Sequence, residues 1–233
     1  MNHQELSKRL EMVGRFVPEN SRLADIGSDH AYLPVFLALK QQISYGIAGE
    51  VVLGPFQSAE KQVAKNGLQG MIDVRLADGL AAISPADKID VITICGMGGS
   101  LIRSILEAGK NNQQLTLQER LILQANIGEA LLREWLQANQ YQIIAEEILE
   151  ENHKIYEIIV AELSETAVSY TKEELYFGPY LLKTKNAAFI KKWQRELHQR
   201  QQVLAQLKVA KTPQTEKITE IQAEISMIEI VLN

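Results

Sequence analysis

The residues best suited to chemistry gather where apolar runs end. Asp25-Ile26-Gly27-Ser28-Asp29-His30-Ala31-Tyr32-Leu33-Pro34 follows the first such run and leads into a helical pattern. Gly27 lets the backbone approach a ligand closely, as the first turn of a doubly wound α/β fold requires. The second and third glycines of a dinucleotide fingerprint are replaced by Asp29 and Ala31, and a carboxylate at Asp29 repels a pyrophosphate where bare amides would hold it. The loop therefore suits a cofactor that carries a sulfonium and an ammonium and no phosphate, such as S-adenosylmethionine, better than NAD or FAD.

Three further positions extend this reading. Glu50 closes the second apolar run about 25 residues after Asp25, near the offset at which an acid reaches ribose hydroxyls, although an acid without that role can also end a strand. Asp78-Gly79 follows the third run, where Asp78 can accept from an adenine amine beside the thin wall left by Gly79; a plain turn explains the pair equally well. In Cys95-Gly96-Met97-Gly98-Gly99 three glycines in a short span mark a ligand-contacting turn. Cys95 reads as a small buried residue, since neither His nor Lys neighbours it in sequence to lower its pKa. Tyr32, Phe56 and Met97 are candidates to stack on a base, against the alternative that they are core.

Positioning these groups falls to alternating elements. Leu6, Leu10, Val13 and Phe16 form a short amphipathic helix that stops at Pro18. Residues 22–26, 45–48, 74–77, 89–94 and 120–124 read as strands separated by helical patterns, which predicts a parallel sheet with a ligand crevice at the carboxyl ends of its strands. After a helix over 129–138, runs at 141–149 and 154–163 joined by the polar link 150–153 predict an antiparallel hairpin, a feature of methyltransferase folds rather than dehydrogenase folds. A long helical pattern begins near Tyr180. Ile190, Trp193, Leu197, Arg200, Leu204 and Leu207 alternate at spacings of three and four; Thr212 and Pro213 break the pattern, and Ile218, Ile221, Ile225, Ile228 and Leu232 resume it. The expectation is an antiparallel helical hairpin, so the chain divides into a domain over 1–164 and a coiled-coil arm over 165–233.

Composition sets the outer bounds. With 233 residues, 46% of them hydrophobic, the chain can bury the core of one large domain with a small appendage. It lacks an apolar run of membrane-spanning length, and its polar first nine residues do not resemble a signal peptide, so a cytoplasmic protein is expected. One cysteine and four scattered histidines predict no metal site. The net charge is −5, yet Lys183, Lys185, Lys191, Lys192, Arg195, Arg200, Lys208 and Lys211 lie in one stretch with the single acid Glu196. That segment is either a solvated helix face or a grip for polyanions.

The strings LSKRL at 6–10, DIGSDHAYLP at 25–34, Ala77-Asp78-Gly79, ICGMGG at 94–99 and EENHKIYE at 150–157 together resemble the bacterial tRNA (adenine-22-N1)-methyltransferase family over nearly the whole chain. One departure is Gln124-Ala125-Asn126, where the family often has Pro after the Gln. The resemblance implies a Rossmann-like class I methyltransferase with a seven-stranded sheet, S-adenosylmethionine as donor, transfer to N1 of adenine 22 in tRNA, and a C-terminal coiled-coil hairpin. It implies that Asp25, Gly27, Ser28 and His30 line the methionine end of the cofactor and Glu50 its ribose. Asp78 and Gly79 then flank its adenine, Gly96 and Met97 form the floor near the methyl, and Arg9 meets its carboxylate. Because methylation moves positive charge onto the base, Asp29 is the candidate catalytic residue, accepting from the adenine amine, unless it merely caps the next helix. Lys191, Lys192 and Arg195 are the candidate phosphate contacts, and a monomer is expected. A small-molecule methyltransferase and a non-catalytic scaffold are the competing readings.

Overall fold

The computed structural model describes residues 6–209 and 214–233. Helix α1 (Lys8–Arg15) precedes strand β1 (Ser21–Ile26), followed by α2 (Tyr32–Leu39), β2 (Ile43–Glu50), α3 (Leu53–Lys65), β3 (Ile72–Leu76), β4 (Val91–Met97), α4 (Gly99–Asn111), β5 (Arg120–Ala125) and α5 (Glu129–Ala138). The antiparallel pair β6 (Tyr141–Glu151) and β7 (Lys154–Leu163) completes a seven-stranded sheet of order β3-β2-β1-β4-β5-β7-β6. The first five strands are parallel, and β7 lies antiparallel between β5 and β6. Strand order reverses between β1 and β4, which opens the crevice at their carboxyl ends.

Strand limits differ from the sequence expectation for local reasons. β4 starts later and runs through Cys95-Gly96-Met97 instead of ending at residue 94. A bulge between Cys95 and Met97, with Gly96 at φ 79°, keeps it paired to β5. The expected turn is thus a bulged strand end. The β6–β7 link is shorter than 150–153: Asn152 and His153, both at positive φ, suffice, in the manner of a type I′ turn whose twist matches a hairpin.

Apolar clusters cover both faces of the sheet. One contains Ile92, Ile94, Leu121 and Ile102; the other contains Leu23, Val35, Ile122 and Val160. A third joins Ile148 of β6 to α6 (Lys172–Phe177), α7 (Leu181–Thr184), α8 (Ala187–Lys208) and α9 (Thr215–Leu232) through Phe177, Leu181, Phe189, Trp193 and Ile228. The helix expected from Tyr180 is interrupted: Lys185 is left-handed, and α8 restarts where the Asn186 side chain accepts from the Phe189 amide. In α9, Ile221, Ile225 and Ile228 turn inward as their spacing predicts. Arg200, the basic residue in the α8 seam, is accommodated by ion pairs to Glu196 and, at 2.5 Å, to Glu224 across the hairpin. The expected breaker, Thr212-Pro213, lies outside the described residues.

A buried charge cluster ties α8 to the sheet and to α5. Arg133 of α5 donates to Glu146 of β6 at 2.7 Å and to Glu157 of β7 at 2.6 Å, and Lys192 of α8 donates to Glu157 and Glu129 at 2.8 Å each. Burial opposes ionisation of Glu157, but the flanking Lys192 and Arg133 charges outweigh it and hold its pKa below the usual range. Removing one member leaves an interior charge less compensated, at a cost in stability. Among the described residues no helix is long and apolar enough to cross a membrane.

Candidate active site

A cleft of about 670 Å³ opens at the carboxyl ends of β1 and β4, where Arg9, Asp25, Asp29, Met97, Asn126 and Tyr156 are among the residues lining it. Its innermost acid, Asp25, accepts from the Ser28 hydroxyl and the Thr93 hydroxyl at 2.6 Å each. Burial raises the Asp25 pKa against those two hydrogen bonds and the Arg9 charge. Asp25 therefore sits in the wall and fixes the loop that begins with Gly27.

That loop is backbone-strained. Asp29, His30 and Ala31 have φ of 49°, 71° and 57°, a run of three left-handed non-glycine residues. Anchors on β2 hold it: the Gly27 and Ser28 amides donate to the Gly49 carbonyl at 2.9 and 3.1 Å, and the His30 amide donates to the Glu50 carboxylate at 3.1 Å. Helix α2 is capped at Ala31 without any side-chain bond, so Asp29 does not cap it. Instead the Asp29 side chain is 79% exposed on the cleft, 3.5 Å from His30 Nε2. Gly27 is itself left-handed, and a Cβ there would push aside the Met97 methyl that lies against it.

The opposite wall carries the cations. Arg9 Nη1 donates to Gln124 Oε1 at 2.5 Å, the same oxygen accepts from the Gly96 amide at 3.0 Å, and the Arg9 guanidinium lies 5.4 Å from the Tyr156 ring centre. The α1 amides of Lys8 and Arg9 donate to the Glu151 carboxylate, which locks the helix against β6. Asn126 closes the rim by donating to the Gly96 carbonyl at 2.7 Å. Acids on one side and Arg9 and Lys154 on the other complement a zwitterionic amino-acid group beside a cationic sulfonium, which fits S-adenosylmethionine.

Of the sequence-predicted residues, Arg9, Asp25, Gly27, Ser28, Asp29, Gly96 and Met97 line this cleft. His30 and Glu50 do not; they brace the loop from behind, and burial raises the Glu50 pKa despite its bond to the His30 amide. Asp78 and Gly79 lie beyond β3, whose Leu76 pairs in register with Glu50, so they continue the same strand-end edge outside the cleft. Tyr32 and Phe56 also lie outside it, and only Met97 of the three stacking candidates lines it. Cys95 does line it, but burial and Asp25 push its thiol up to about 12. Gln124, Asn126, Lys154 and Tyr156 were missed as site residues; the EENHKIYE string contained the last two.

The basic candidates on α8 separate. Lys191 pairs with Glu150 at 2.6 Å, and Arg195, half exposed, leans on the His153 carbonyl at 3.3 Å. Lys192 departs from the expectation of a phosphate contact: its side chain is 16% exposed and its ammonium is engaged by Glu129 of α5 and Glu157 of β7, because this face of α8 turns toward the sheet. Among the described residues no group of three or more His, Cys, Asp or Glu is placed to hold a metal ion.

A family model described as tRNA (adenine(22)-N(1))-methyltransferase matches residues 23–230. The tRNA (adenine(22)-N(1))-methyltransferase of Bacillus subtilis (strain 168) is 46% identical across 100% of this chain and 99% of its own. The crystal structure of a Bacillus subtilis tRNA methyltransferase superposes with a TM-score of 0.92 at 44% identity, covering 99% of this chain and 100% of that one. A Streptococcus pneumoniae structure in complex with S-adenosyl-L-methionine gives a TM-score of 0.89 at 45% identity over 98% of this chain and 100% of that one. The sheet, the bipolar cleft and these matches lead to one conclusion: the chain belongs to the tRNA (adenine(22)-N(1))-methyltransferase family.

Proposed function

We propose that the protein methylates N1 of adenine 22 in tRNA, acting in the cytoplasm as a monomer whose catalytic unit spans 1–164 and whose tRNA-gripping arm spans 165–233. The observation that carries this reading is the acidic left-handed loop Asp29-His30-Ala31 facing Arg9 across the β1–β4 crevice. When bound, S-adenosylmethionine supplies an electrophilic sulfonium methyl, which adenine N1 attacks with its own lone pair as the carbon–sulfur bond breaks. No residue has to remove a proton first, so this chain's work is alignment, and alignment supplies on the order of several kcal/mol of a barrier.

Each residue has a place in that work. Arg9, held by Gln124, meets the cofactor carboxylate, while Asp25, Gly27 and Ser28 shape the methionine end and His30 braces it. Glu50 serves the ribose side, Asp78 and Gly79 the adenine side, and Gly96 and Met97 the floor near the methyl. Asp29, exposed on the cleft, accepts from the target adenine's amine and stabilises the charge that the base acquires. Exposing a stacked or paired base costs roughly a few kcal/mol, which phosphate contacts from Lys191 and Arg195 on α8 offset. Lys192 orients that helix from inside.

The test is methyl transfer from radiolabelled S-adenosylmethionine to unmodified tRNA transcripts, with nucleoside analysis of the product. Formation of 1-methyladenosine, lost when guanine replaces adenine 22, is the expected result. Cofactor binding without any tRNA labelling would refute the substrate, and absence of cofactor binding would refute the activity.

A further inference from the structure

A second cleft, of about 570 Å³, lies between the loop after β5 and the lower face of α8. It shares Asn126 and Ile155 with the first, so the two are continuous along the strand ends. One wall is the start of α5, where Gly128 is left-handed and no side chain caps the helix. Its first-turn amides therefore lack a side-chain acceptor, and the positive end of the helix dipole sits at the cleft. The other wall is one face of α8, on which Lys192, Arg195, Glu196 and Gln199 recur at helical spacing.

Three cations and two carboxylates line the cleft. Lys192 is engaged by Glu129 and Glu157, and Arg200 by Glu196 and Glu224, which neutralises both lining acids. Arg195 is left with Glu150 at 3.9 Å and a half-exposed side chain. Tyr176 and Trp193 also line the cleft, with ring centres 5.2 Å apart. Trp193 is 4% exposed and its Nε1 has no hydrogen-bond partner among the described residues, while the Tyr176 hydroxyl has only the Arg200 guanidinium beside it, a donor that leaves the hydroxyl's own proton without an acceptor. Protein interiors rarely leave such donors unpaired, and a ligand rich in acceptor oxygens would supply what is missing. At the lip, Ile127 is 74% exposed, an apolar surface for a flat ring.

We propose that this cleft is a subsite for the nucleotide adjoining the target adenosine. Its phosphate lies between Arg195 and the open end of α5, and its base lies against Ile127, Tyr176 and Trp193. An anion joined to a flat, acceptor-bearing ring is the one chemistry that answers all of these features. The shared Asn126 and Ile155 place that neighbour beside the adenine presented to the methyl donor. The subsite rests on the tRNA reading above.

The experiment compares the full-length wild-type chain with Arg195→Gln and Tyr176→Phe on an unmodified tRNA transcript across a sodium chloride series. Loss of one phosphate contact should lower affinity in Arg195→Gln and make its log K against log salt shallower by about 0.7–0.9. Its KM for tRNA should rise about tenfold while kcat and S-adenosylmethionine affinity hold. For Tyr176→Phe, a purely structural hydroxyl predicts an unchanged or raised Tm and the same KM, whereas contact with the nucleotide predicts a higher KM at equal Tm. An unchanged salt slope in Arg195→Gln, with wild-type methylation intact, overturns the subsite together with the Arg195 phosphate contact and leaves the methyltransferase reading standing. A wild-type chain that binds no tRNA overturns both the subsite and the reading beneath it.

Discussion

The fully buried side chain of Gln124 holds the Arg9 guanidinium at 2.5 Å with the same oxygen that accepts from the Gly96 amide at 3.0 Å. One amide thus couples the N-terminal helix to the bulged end of β4, and the cation that faces the acidic loop depends on it. Gln124→Leu keeps the volume and removes the acceptor. S-adenosylmethionine affinity should fall about tenfold, the equivalent of one lost charge-assisted hydrogen bond, while Tm shifts little. Isothermal calorimetry with S-adenosylhomocysteine reads it, and unchanged affinity would remove Arg9 from the cofactor site.

Two glycines separate a local cost from a global one. A Cβ at Gly27 meets only the flexible end of Met97, whereas one at Gly99 meets the Gly128 carbonyl, which cannot yield. Gly27→Ala should fold, at a backbone cost of roughly 1–2 kcal/mol, yet lose cofactor affinity. Gly99→Ala should lose more stability, because the start of α4 must move away from the loop before α5. Thermal melts and cofactor titrations of both variants would show the order; equal Tm losses would contradict it.

The charge cluster under α8 makes a third case. Arg133→Met strands Glu146 in the interior and leaves Glu157 with Lys192 alone, and the expected loss is about 3–5 kcal/mol. Urea unfolding would measure it, and a loss below about 1 kcal/mol, typical of exposed pairs, would show that water reaches the cluster.

Acidification should weaken cofactor binding before it unfolds the chain. Burial raises the pKa of Asp25 and Glu50, so each takes up its proton in the folded state above the ordinary carboxylate value of about 4. Cofactor affinity should then decline as pH falls toward that range, since two of the negative groups that shape the site are lost. Asp87 behaves oppositely: Arg75 and Ser84 hold its pKa well below the usual range. Its stabilisation is present above the unfolded pKa and disappears only as pH falls through the depressed folded value. Asp87→Asn should flatten the acid limb of the stability curve and leave the pH dependence of cofactor affinity intact; a shifted affinity profile would assign that dependence elsewhere.

Local patterns made much of the molecule legible in the chain itself. Alternating apolar runs specify strands and helices because burial follows periodicity, and the α5 and β7 limits, 129–138 and 154–163, were readable for that reason. Asp29, in place of the second glycine after β1, argued against a pyrophosphate, since charge repulsion needs no tertiary context. Three facts waited for the tertiary structure. The left-handed run Asp29-His30-Ala31 has only a weak local preference, at Asp29 and His30, and none at Ala31, and it exists because Gly49 and Glu50, on another strand, hold it. Gln124 gains its role from Arg9, 115 residues away in sequence. Lys192 reads as a surface cation in the chain and becomes an interior one because α8 folds over the sheet, where Glu157 of β7 and Glu129 of α5 await it. Sequence determined the elements and the kind of cofactor, for those depend on neighbours along the chain. Only the folded molecule decided which charges face the ligand and which face each other, because that depends on groups brought together across the sheet.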